Sequence, residues 1–349
     1  MPINKKVGVI GAGSFGTAIS NLIALKGVDV LLYSRQDDLI EKINKQRQHF
    51  GVTISDHIEL TSDIERIAVE CQLIFPVVPS TAFRETIINL GPFLRPYHML
   101  IHGTKGFSLN GVTEEALLEK KIKIDRKHVC TMSEVIRQES VVVRIGCLSG
   151  PNLASEILDG QPTATVIASQ FSEVIKAGQA VLDSPQFHVF GSYEILGAEL
   201  AGALKNIIAI GSGILGGMSM GKNIQAMLVT RGLIEMIRFG KAMGAKSRPF
   251  LGTAGVGDLI ATATSRDSRN YTFGFRLGKG EKAQEILASM PELAEGARTL
   301  KIARGLARYY KLHVPITEML YNVVFEDFDK QRALYYLMKY PYAVDVDFI

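Results

Sequence analysis

The 349-residue sequence is too long for one typical hydrophobic core, so we expect two domains. Hydrophobic residues make up 47% and charged residues 21%, and a net charge of +4 is too small to indicate nucleic-acid binding. The three cysteines form no C-x-x-C pair and the seven histidines no ligand cluster, so we expect neither disulfides nor a metal site. No signal-peptide core is evident, and charges interrupt the apolar run that begins at Ile195. We therefore expect a cytoplasmic protein without membrane insertion.

Short strands alternate with helices in the first half of the chain, and helical patterns dominate from about Tyr193. The predicted elements are strands at 7–10 and 28–33, strands beginning at 73 and 98, a strand ending at 150, and helices at 14–26, 81–90, 224–243, 283–290, 299–310 and 316–325. This order predicts an α/β protein. An N-terminal Rossmann-type doubly wound sheet would occupy residues 1–190, followed by an all-helical C-terminal domain in 191–349.

The first strand runs into a glycine-rich turn, Gly11-Ala12-Gly13-Ser14-Phe15-Gly16, which opens the next helix. In this setting the three glycines permit a tight turn, close approach of a pyrophosphate and close packing of helix on sheet. The helix N-terminus adds N–H donors and positive potential. We therefore predict dinucleotide binding at this turn.

The second strand ends at Tyr33-Ser34-Arg35, without the acidic residue that NAD-selective folds place against the ribose. Arg35 instead suits a 2′-phosphate, so we expect NADP to be tolerated or preferred. The alternative is a solvated surface arginine.

Two later strand ends carry polar side chains beside glycines. Lys105 in IHGTKGF and Asn152 in SGPNLASE each follow a predicted strand. Ligands of open α/β sheets bind at the carboxyl ends of the strands, so we predict that both residues lie at the ligand site. The alternatives are an exposed loop lysine and an asparagine that caps a helix.

Lys205 stands within LAGALKNIIAIGSGILGG, an apolar stretch rich in small residues. Its neighbours on a helix cannot pair with its charge. Burial would disfavour the ammonium form and suit the lysine to proton transfer near neutral pH. A lysine that reaches water from a helix end is the structural alternative.

A polar, glycine-rich segment of the helical half, GTAGVGDLIATATSRDSRNYTFG, offers partners for this lysine. It supplies Asp258 as a charge partner and Thr262 as a hydroxyl donor. Its Ser268-Arg269-Asn270 run suits a phosphate, because an arginine beside an amide matches phosphate oxygens. The LAEGART segment adds Glu295 beside a glycine.

Together these motifs make the chain resemble the bacterial-type NAD(P)-dependent glycerol-3-phosphate dehydrogenases over essentially its full length. The resemblance rests on GAGSFGTA, VVPS, TKGF, SGPNLASE, GALKNIIAIGSGI, GVGDLIATATSRDSRN, LAEGART and VPITEMLYNVVFEDF. It implies reversible reduction of dihydroxyacetone phosphate to sn-glycerol 3-phosphate for glycerophospholipid synthesis, with NAD(P)H as cofactor. It also implies a small-molecule substrate and a homodimer.

The resemblance further implies roles for individual residues. Lys205 would be the proton donor and acceptor, Asp258 would orient it, and Lys105 and Asn152 would stabilise the developing alkoxide. The expected catalytic residues are thus Lys205, Lys105 and Asp258. The expected cofactor contacts are Gly11, Gly13, Ser14, Phe15, Gly16, Arg35, Pro79, Lys105, Ala154, Arg269, Leu293 and Glu295. The expected substrate contacts are Lys105, Gly150, Asn152, Lys205, Asp258, Thr262, Ser268, Arg269 and Asn270.

Two alternative functions compete with this interpretation. A β-hydroxyacid or 6-phosphogluconate-type dehydrogenase would also join a Rossmann domain to a helical domain that carries a lysine. The serine–arginine–asparagine run and the lack of an evident carboxylate-binding cluster argue against it. A cofactor-sensing protein without turnover is the second alternative, which the expected pairing of Lys205 with Asp258 disfavours.

Overall fold

The computed structural model describes residues 6–113, 116–117, 123–290 and 294–339. The chain divides into two compact units, the first comprising Met1–Ser108 and Thr131–Ile195, the second Leu109–Cys130 and Leu196–Ile349. The expected domain limits of 1–190 and 191–349 stay a prediction. The compact units differ from them mainly because the second unit includes Leu109–Cys130.

The first unit is built on an eight-stranded sheet. Twelve strands lie in the described residues, at β1 (Val7–Ile10), β2 (Val30–Tyr33), β3 (Gln48–His49), β4 (Val52–Thr53), β5 (Ile58–Thr61), β6 (Leu73–Pro76), β7 (Met99–His102), β8 (Ser108–Leu109), β9 (Val129–Cys130), β10 (Arg144–Ser149), β11 (Thr163–Ser169) and β12 (Phe187–Ser192). The sheet order is β12-β11-β10-β7-β6-β1-β2-β5. Pairing is parallel except between β10 and β11. Read from β5 to β10, this is the doubly wound order of dinucleotide-binding sheets, which confirms the predicted fold class.

Helices of the first unit follow the strands, as expected for a doubly wound sheet. They are α1 (Ser14–Ala24), α2 (Asp37–Gln46), α3 (Ile64–Glu70), α4 (Ser80–Leu90), α5 (Met132–Glu139), α6 (Ala154–Leu158) and α7 (Ser172–Leu182). All four residues of β1 are buried, because a central parallel strand is covered on both faces. The core joins Val7 and Val9 of this strand to Ile19 of α1 and Phe75 of β6.

From Leu196 onward, the described residues of the second unit form helices and connecting turns and include no strand. Its helices are α8 (Ile195–Gly217), α9 (Lys222–Ala242), α10 (Asp258–Thr264), α11 (Arg269–Gly278), α12 (Ala283–Ser289), α13 (Glu295–Tyr310), α14 (Pro315–Phe325) and α15 (Lys330–Lys339). Of the described helices, α8 alone is long and apolar enough to cross a membrane, and 94% of its most apolar stretch is buried within the protein. That burial is typical of the core helix of a globular domain.

Close packing of two helices explains why the stretch after Lys205 is rich in small residues. Helices α8 and α11 meet backbone to backbone, because Gly213 lies against the Tyr271 carbonyl and Gly274 against the Ile210 carbonyl. A Cβ atom at either glycine would collide with that oxygen. The close crossing places the start of α11, where Arg269 and Asn270 lie, next to the helix that carries Lys205.

The three cysteines, Cys71, Cys130 and Cys147, are buried, and none of them forms a disulfide. Burial raises the pKa of the Cys71 thiol to about 12, so this thiol stays protonated at neutral pH. All three cysteines are buried residues of the core.

Candidate active site

The turn between β1 and α1 has the backbone geometry that its glycines predict. Gly11 adopts φ +116°, a conformation that side chains rarely allow, and its N–H donates to the Tyr33 carbonyl at 3.0 Å. A Cβ at Gly16 would collide with the Gly11 carbonyl oxygen. These two glycines are thus required by the turn itself.

Gly13 is different, because a Cβ there would meet no atom of the described residues within 4 Å. Gly13 precedes α1, whose start has no side-chain cap and no acidic residue in its first turn. Packing within the protein therefore does not demand a glycine here, whereas close approach of a ligand would. An uncapped helix N-terminus beside such a glycine fits the pyrophosphate of a dinucleotide.

His49 supports this turn and was missed by the sequence interpretation. Its ring Nε2 donates to the Ala12 carbonyl at 2.9 Å, which ties the β3–β4 hairpin to the glycine turn. Only the tautomer with a proton on Nε2 can make this bond, since a carbonyl accepts. His49 belongs to no recognisable motif, so the sequence carried no signal for the contact.

The other expected cofactor residues of the first unit lie near the carboxyl ends of its strands. Arg35 follows β2, and its side chain is exposed. Pro79 immediately precedes α4, and Ala154 is the first residue of α6. Phe15 is partly buried and packs so closely on Gly103 that a Cβ there would lie 2.7 Å from the ring.

Lys105 and Gly150 meet at the same edge of the sheet. The Lys105 Nζ donates to the Gly150 carbonyl at 2.7 Å, and the lysine is half-buried rather than an exposed loop residue. Gly150 adopts φ +152°, and a Cβ there would lie 3.1 Å from the Cα of Thr165. The loops after β7 and β10 are thereby joined.

Asn152 lies two residues further on and is not a helix cap. Helix α6 begins at Ala154 without any side-chain cap. The Asn152 Nδ2 instead donates to the Thr165 Oγ1 at 2.9 Å, and its Oδ1 is buried with no hydrogen-bond partner among the described residues. A buried acceptor without a donor is costly, which points to a ligand at this oxygen.

In the second unit Lys205 is buried together with an acid. Its Nζ lies 2.6 Å from the Asp258 Oδ1, and the two side chains are 6% and 2% exposed. The expected charge partner is thus confirmed, and a lysine that reaches water is excluded. The Lys205 Nζ also donates to the Thr262 Oγ1, which in turn donates to Asp258 at 3.4 Å. Thr262 thus accepts from the lysine and, as the expected hydroxyl donor, donates to Asp258.

The local sequence explains how these groups converge. Asp258 and Thr262 are four residues apart on α10, so they share one helix face. A π-helical turn at Thr253–Gly257 leads into α10, and such turns often occur at functional sites. Ser212, two turns beyond Lys205 on α8, donates to the Ala263 carbonyl at 2.6 Å and fixes α8 against α10.

The expected phosphate residues surround the start of α11. Ser268 precedes this helix, and its Oγ accepts from the Tyr271 N–H at 3.3 Å. The Asn270 Oδ1 accepts from the Gly296 N–H at 2.8 Å, which leaves its Nδ2 as the donor side of the amide. Arg269 is exposed. This set presents donors and positive charge, as an anion requires.

The start of α13 belongs to the same neighbourhood. Its first residue is Glu295, and a Cβ at Gly296 would lie 2.7 Å from the Asn206 carbonyl. Asn206 adjoins Lys205, so α13 begins close to the lysine on α8. The expected cofactor contact at Leu293 lies outside the described residues. Within the described part of the chain, no group of three or more His, Cys, Asp or Glu side chains could hold a metal.

Comparisons with known proteins agree on one family. Residues 6–175 match the family model described as NAD-dependent glycerol-3-phosphate dehydrogenase N-terminus, and residues 194–335 match the corresponding C-terminus. The glycerol-3-phosphate dehydrogenase [NAD(P)+] of Teredinibacter turnerae is 39% identical over 99% of this chain and 98% of its own. That of Pseudomonas aeruginosa is 37% identical over 100% and 98%.

A solved structure is similar to the whole chain. The crystal structure of glycerol-3-phosphate dehydrogenase from Coxiella burnetii superimposes with a TM-score of 0.85 at 31% identity. The match covers 97% of this chain and 100% of that one. The similarity therefore extends through both units.

Proposed function

Since the chain belongs to the NAD-dependent glycerol-3-phosphate dehydrogenase family, we propose that it reduces dihydroxyacetone phosphate reversibly to sn-glycerol 3-phosphate with NAD(P)H. The product would supply glycerophospholipid synthesis. The observation that carries the proposal is the buried pair of Lys205 and Asp258. The same chain has a glycine turn with space beside Gly13 for a ligand. The relatives favour this reaction over that of a hydroxyacid dehydrogenase.

The first unit would hold the dinucleotide. Gly13 and the start of α1 would receive the pyrophosphate, with Ser14 and Phe15 in the first turn and Pro79 and Ala154 at neighbouring strand ends. Arg35 would contact the adenosine ribose or its 2′-phosphate. When bound, the reduced nicotinamide supplies a hydride to the carbonyl carbon of the substrate.

Lys205 would handle the proton in the second unit. As an ammonium paired with Asp258, Nζ would carry a proton that it can give to the carbonyl oxygen as the alcohol forms. Asp258 and Thr262 hold the amine in place, which limits the reorganisation needed at the moment of transfer. In the reverse direction the neutral amine would accept the proton.

The remaining residues would bind and orient the substrate. Arg269, Asn270 and Ser268 would hold the phosphate, and Arg269, Leu293 and Glu295 would contact the cofactor. Lys105 and Gly150 would contact the reacting end of the substrate. Binding of the remote phosphate would thus be used to position the ketone.

The proposal also covers the domain organisation, the cellular location and the oligomeric state of the enzyme. We propose that residues 1–190 form the dinucleotide-binding domain and that residues 191–349 form the helical domain, which binds the substrate phosphate and carries the proton donor. The protein would act in the cytoplasm as a homodimer, without membrane insertion and without nucleic acid.

Initial rates with dihydroxyacetone phosphate and either NADH or NADPH test the proposal. The expected result is loss of the reduced-nicotinamide absorbance with both cofactors, dependent on the phosphorylated ketone. A 3-hydroxyacid with NAD⁺ and 6-phosphogluconate with NADP⁺ serve as comparison substrates. Turnover of these and not of dihydroxyacetone phosphate would contradict the proposal, and cofactor binding without any turnover would favour a sensor.

A further inference from the structure

Thr165 connects two parts of the loop that follows β10. Its hydroxyl donates to the Ser149 carbonyl at 3.3 Å and accepts from the Asn152 Nδ2 at 2.9 Å. The threonine is fully buried in β11, the strand that pairs antiparallel with β10. It is absent from every motif that the sequence interpretation used.

These two bonds fix which way round the Asn152 amide lies. A hydroxyl has one proton, and Thr165 uses it on the Ser149 carbonyl. The Thr165 oxygen can then only accept from Asn152, so the amide must turn its NH₂ group toward Thr165. The carbonyl oxygen of the amide is left facing the other way.

That oxygen is the buried Oδ1 without a donor among the described residues. Leaving such an acceptor unsatisfied is costly, so the site favours a ligand that brings a hydrogen-bond donor. A developing alkoxide brings none, because it can only accept. A hydroxyl group brings one.

We propose that Thr165 is a positioning residue that makes Asn152 an acceptor for a substrate hydroxyl, and that this selects ketones with a hydroxyl beside the carbonyl. The inference rests on the proposed function, since dihydroxyacetone phosphate is such a ketone. It revises the expectation that Asn152 stabilises the alkoxide, because the atom of this amide without a partner among the described residues is an acceptor, whereas a donor such as Lys105 can perform that task.

The test compares two substrates that differ by this hydroxyl. Dihydroxyacetone phosphate has it, and hydroxyacetone phosphate has a methyl group where dihydroxyacetone phosphate has the hydroxymethyl group. The wild-type protein prefers the first in kcat/KM, and Thr165→Val reduces that preference roughly tenfold, through loss on the first substrate alone. Thr165→Ser keeps the hydroxyl and restores the preference.

Thr163→Val is the matched control, since it makes the same change two residues earlier on β11 and leaves the preference unchanged. Asn152→Ala is the second variant, and it keeps the test possible even if Thr165→Val does not fold. It removes the acceptor itself, so it also reduces the preference for dihydroxyacetone phosphate. The inference is overturned if both variants keep the wild-type ratio of the two kcat/KM values, whether or not their overall activity falls. Failure of the wild-type protein to reduce either substrate would instead contradict the proposed function.

Discussion

The carboxylate of Asp258 lies 2.6 Å from the amine of Lys205, and neither side chain is more than 6% exposed. In a buried pair each charge offsets the cost of burying the other, so loss of one partner leaves an uncompensated charge. The pair therefore stabilises the second unit only while both members are present, and it holds the lysine where a proton is needed.

Replacing one residue of the Lys205–Asp258 pair should destabilise the protein more than replacing both. Asp258→Leu alone should lower the free energy of unfolding by about 3–5 kcal/mol, whereas the double variant with Lys205→Met should recover most of that loss. Urea denaturation of the wild type, both single variants and the double variant measures the coupling. Additive losses would show that the two charges do not interact.

Arg269→Ala should impair recognition of the substrate phosphate. KM for dihydroxyacetone phosphate should rise by at least about tenfold, because a charge-assisted bond is lost, and this rise should be far larger than that for unphosphorylated dihydroxyacetone. Arg266→Ala removes an exposed arginine three residues away, over the Phe275 ring, and serves as the control. Equal losses of Arg269→Ala on the two substrates would argue against a phosphate contact.

Gly274→Ala should force α8 and α11 apart, because the added methyl group meets the Ile210 carbonyl. Overpacking of this kind costs about 1–3 kcal/mol or more, since backbone cannot move aside as a side chain can. Thermal unfolding should show a lower Tm than for Gly221→Ala, where a Cβ meets nothing within 4 Å. Similar Tm values for the two variants would mean that the close crossing is not required.

Glu235 should make stability depend on pH. It is buried on α9 and accepts from the Ile316 N–H at 2.6 Å, the Thr317 N–H at 2.9 Å and the Thr317 hydroxyl at 2.7 Å. Burial raises its pKa to about 7, despite these bonds and the nearby charge of Arg238, which oppose the rise. A raised pKa means that the folded state binds the proton more tightly, so this contribution to stability is present at acidic pH and is lost as the pH rises through 7.

Between pH 5 and pH 8 the loss should be about 2–3 kcal/mol, and Glu235→Gln should not show it. Denaturant titrations of both proteins at the two pH values measure the difference, with Glu285→Gln, an exposed carboxylate, as control. The same pH dependence in the wild type and Glu235→Gln would contradict the assignment.

Much of this architecture could be predicted because the decisive residues act locally. Gly11 and Gly16 shape a turn with residues a few positions away, and Asp258 and Thr262 share a helix face through their spacing. The pairing of Lys205 with Asp258 was also predictable, since a lysine among apolar residues needs an acid and the polar segment offered one.

The contacts that the sequence did not indicate depend on the order of the strands and on the crossing of the helices. Thr165 reaches Asn152 because β11 pairs with β10, and a threonine in a strand is otherwise unremarkable. His49 and Ser212 also act through partners 37 and 51 residues away. The placement of Leu109–Cys130 with the second unit likewise follows from tertiary packing, for which its local pattern gave no sign.

The most direct test of the central claim is the turnover of Lys205→Met with dihydroxyacetone phosphate and NADH. Its kcat should be about 10²–10⁴-fold below that of the wild type, with unchanged affinity for NADH, because the proton donor is lost and the dinucleotide residues are not. The double variant with Asp258→Leu should be equally inactive, which separates loss of chemistry from loss of stability. Lys222→Met, an exposed lysine of α9, should keep full activity. A kcat near the wild-type value in a folded Lys205→Met protein would contradict the role assigned to this lysine.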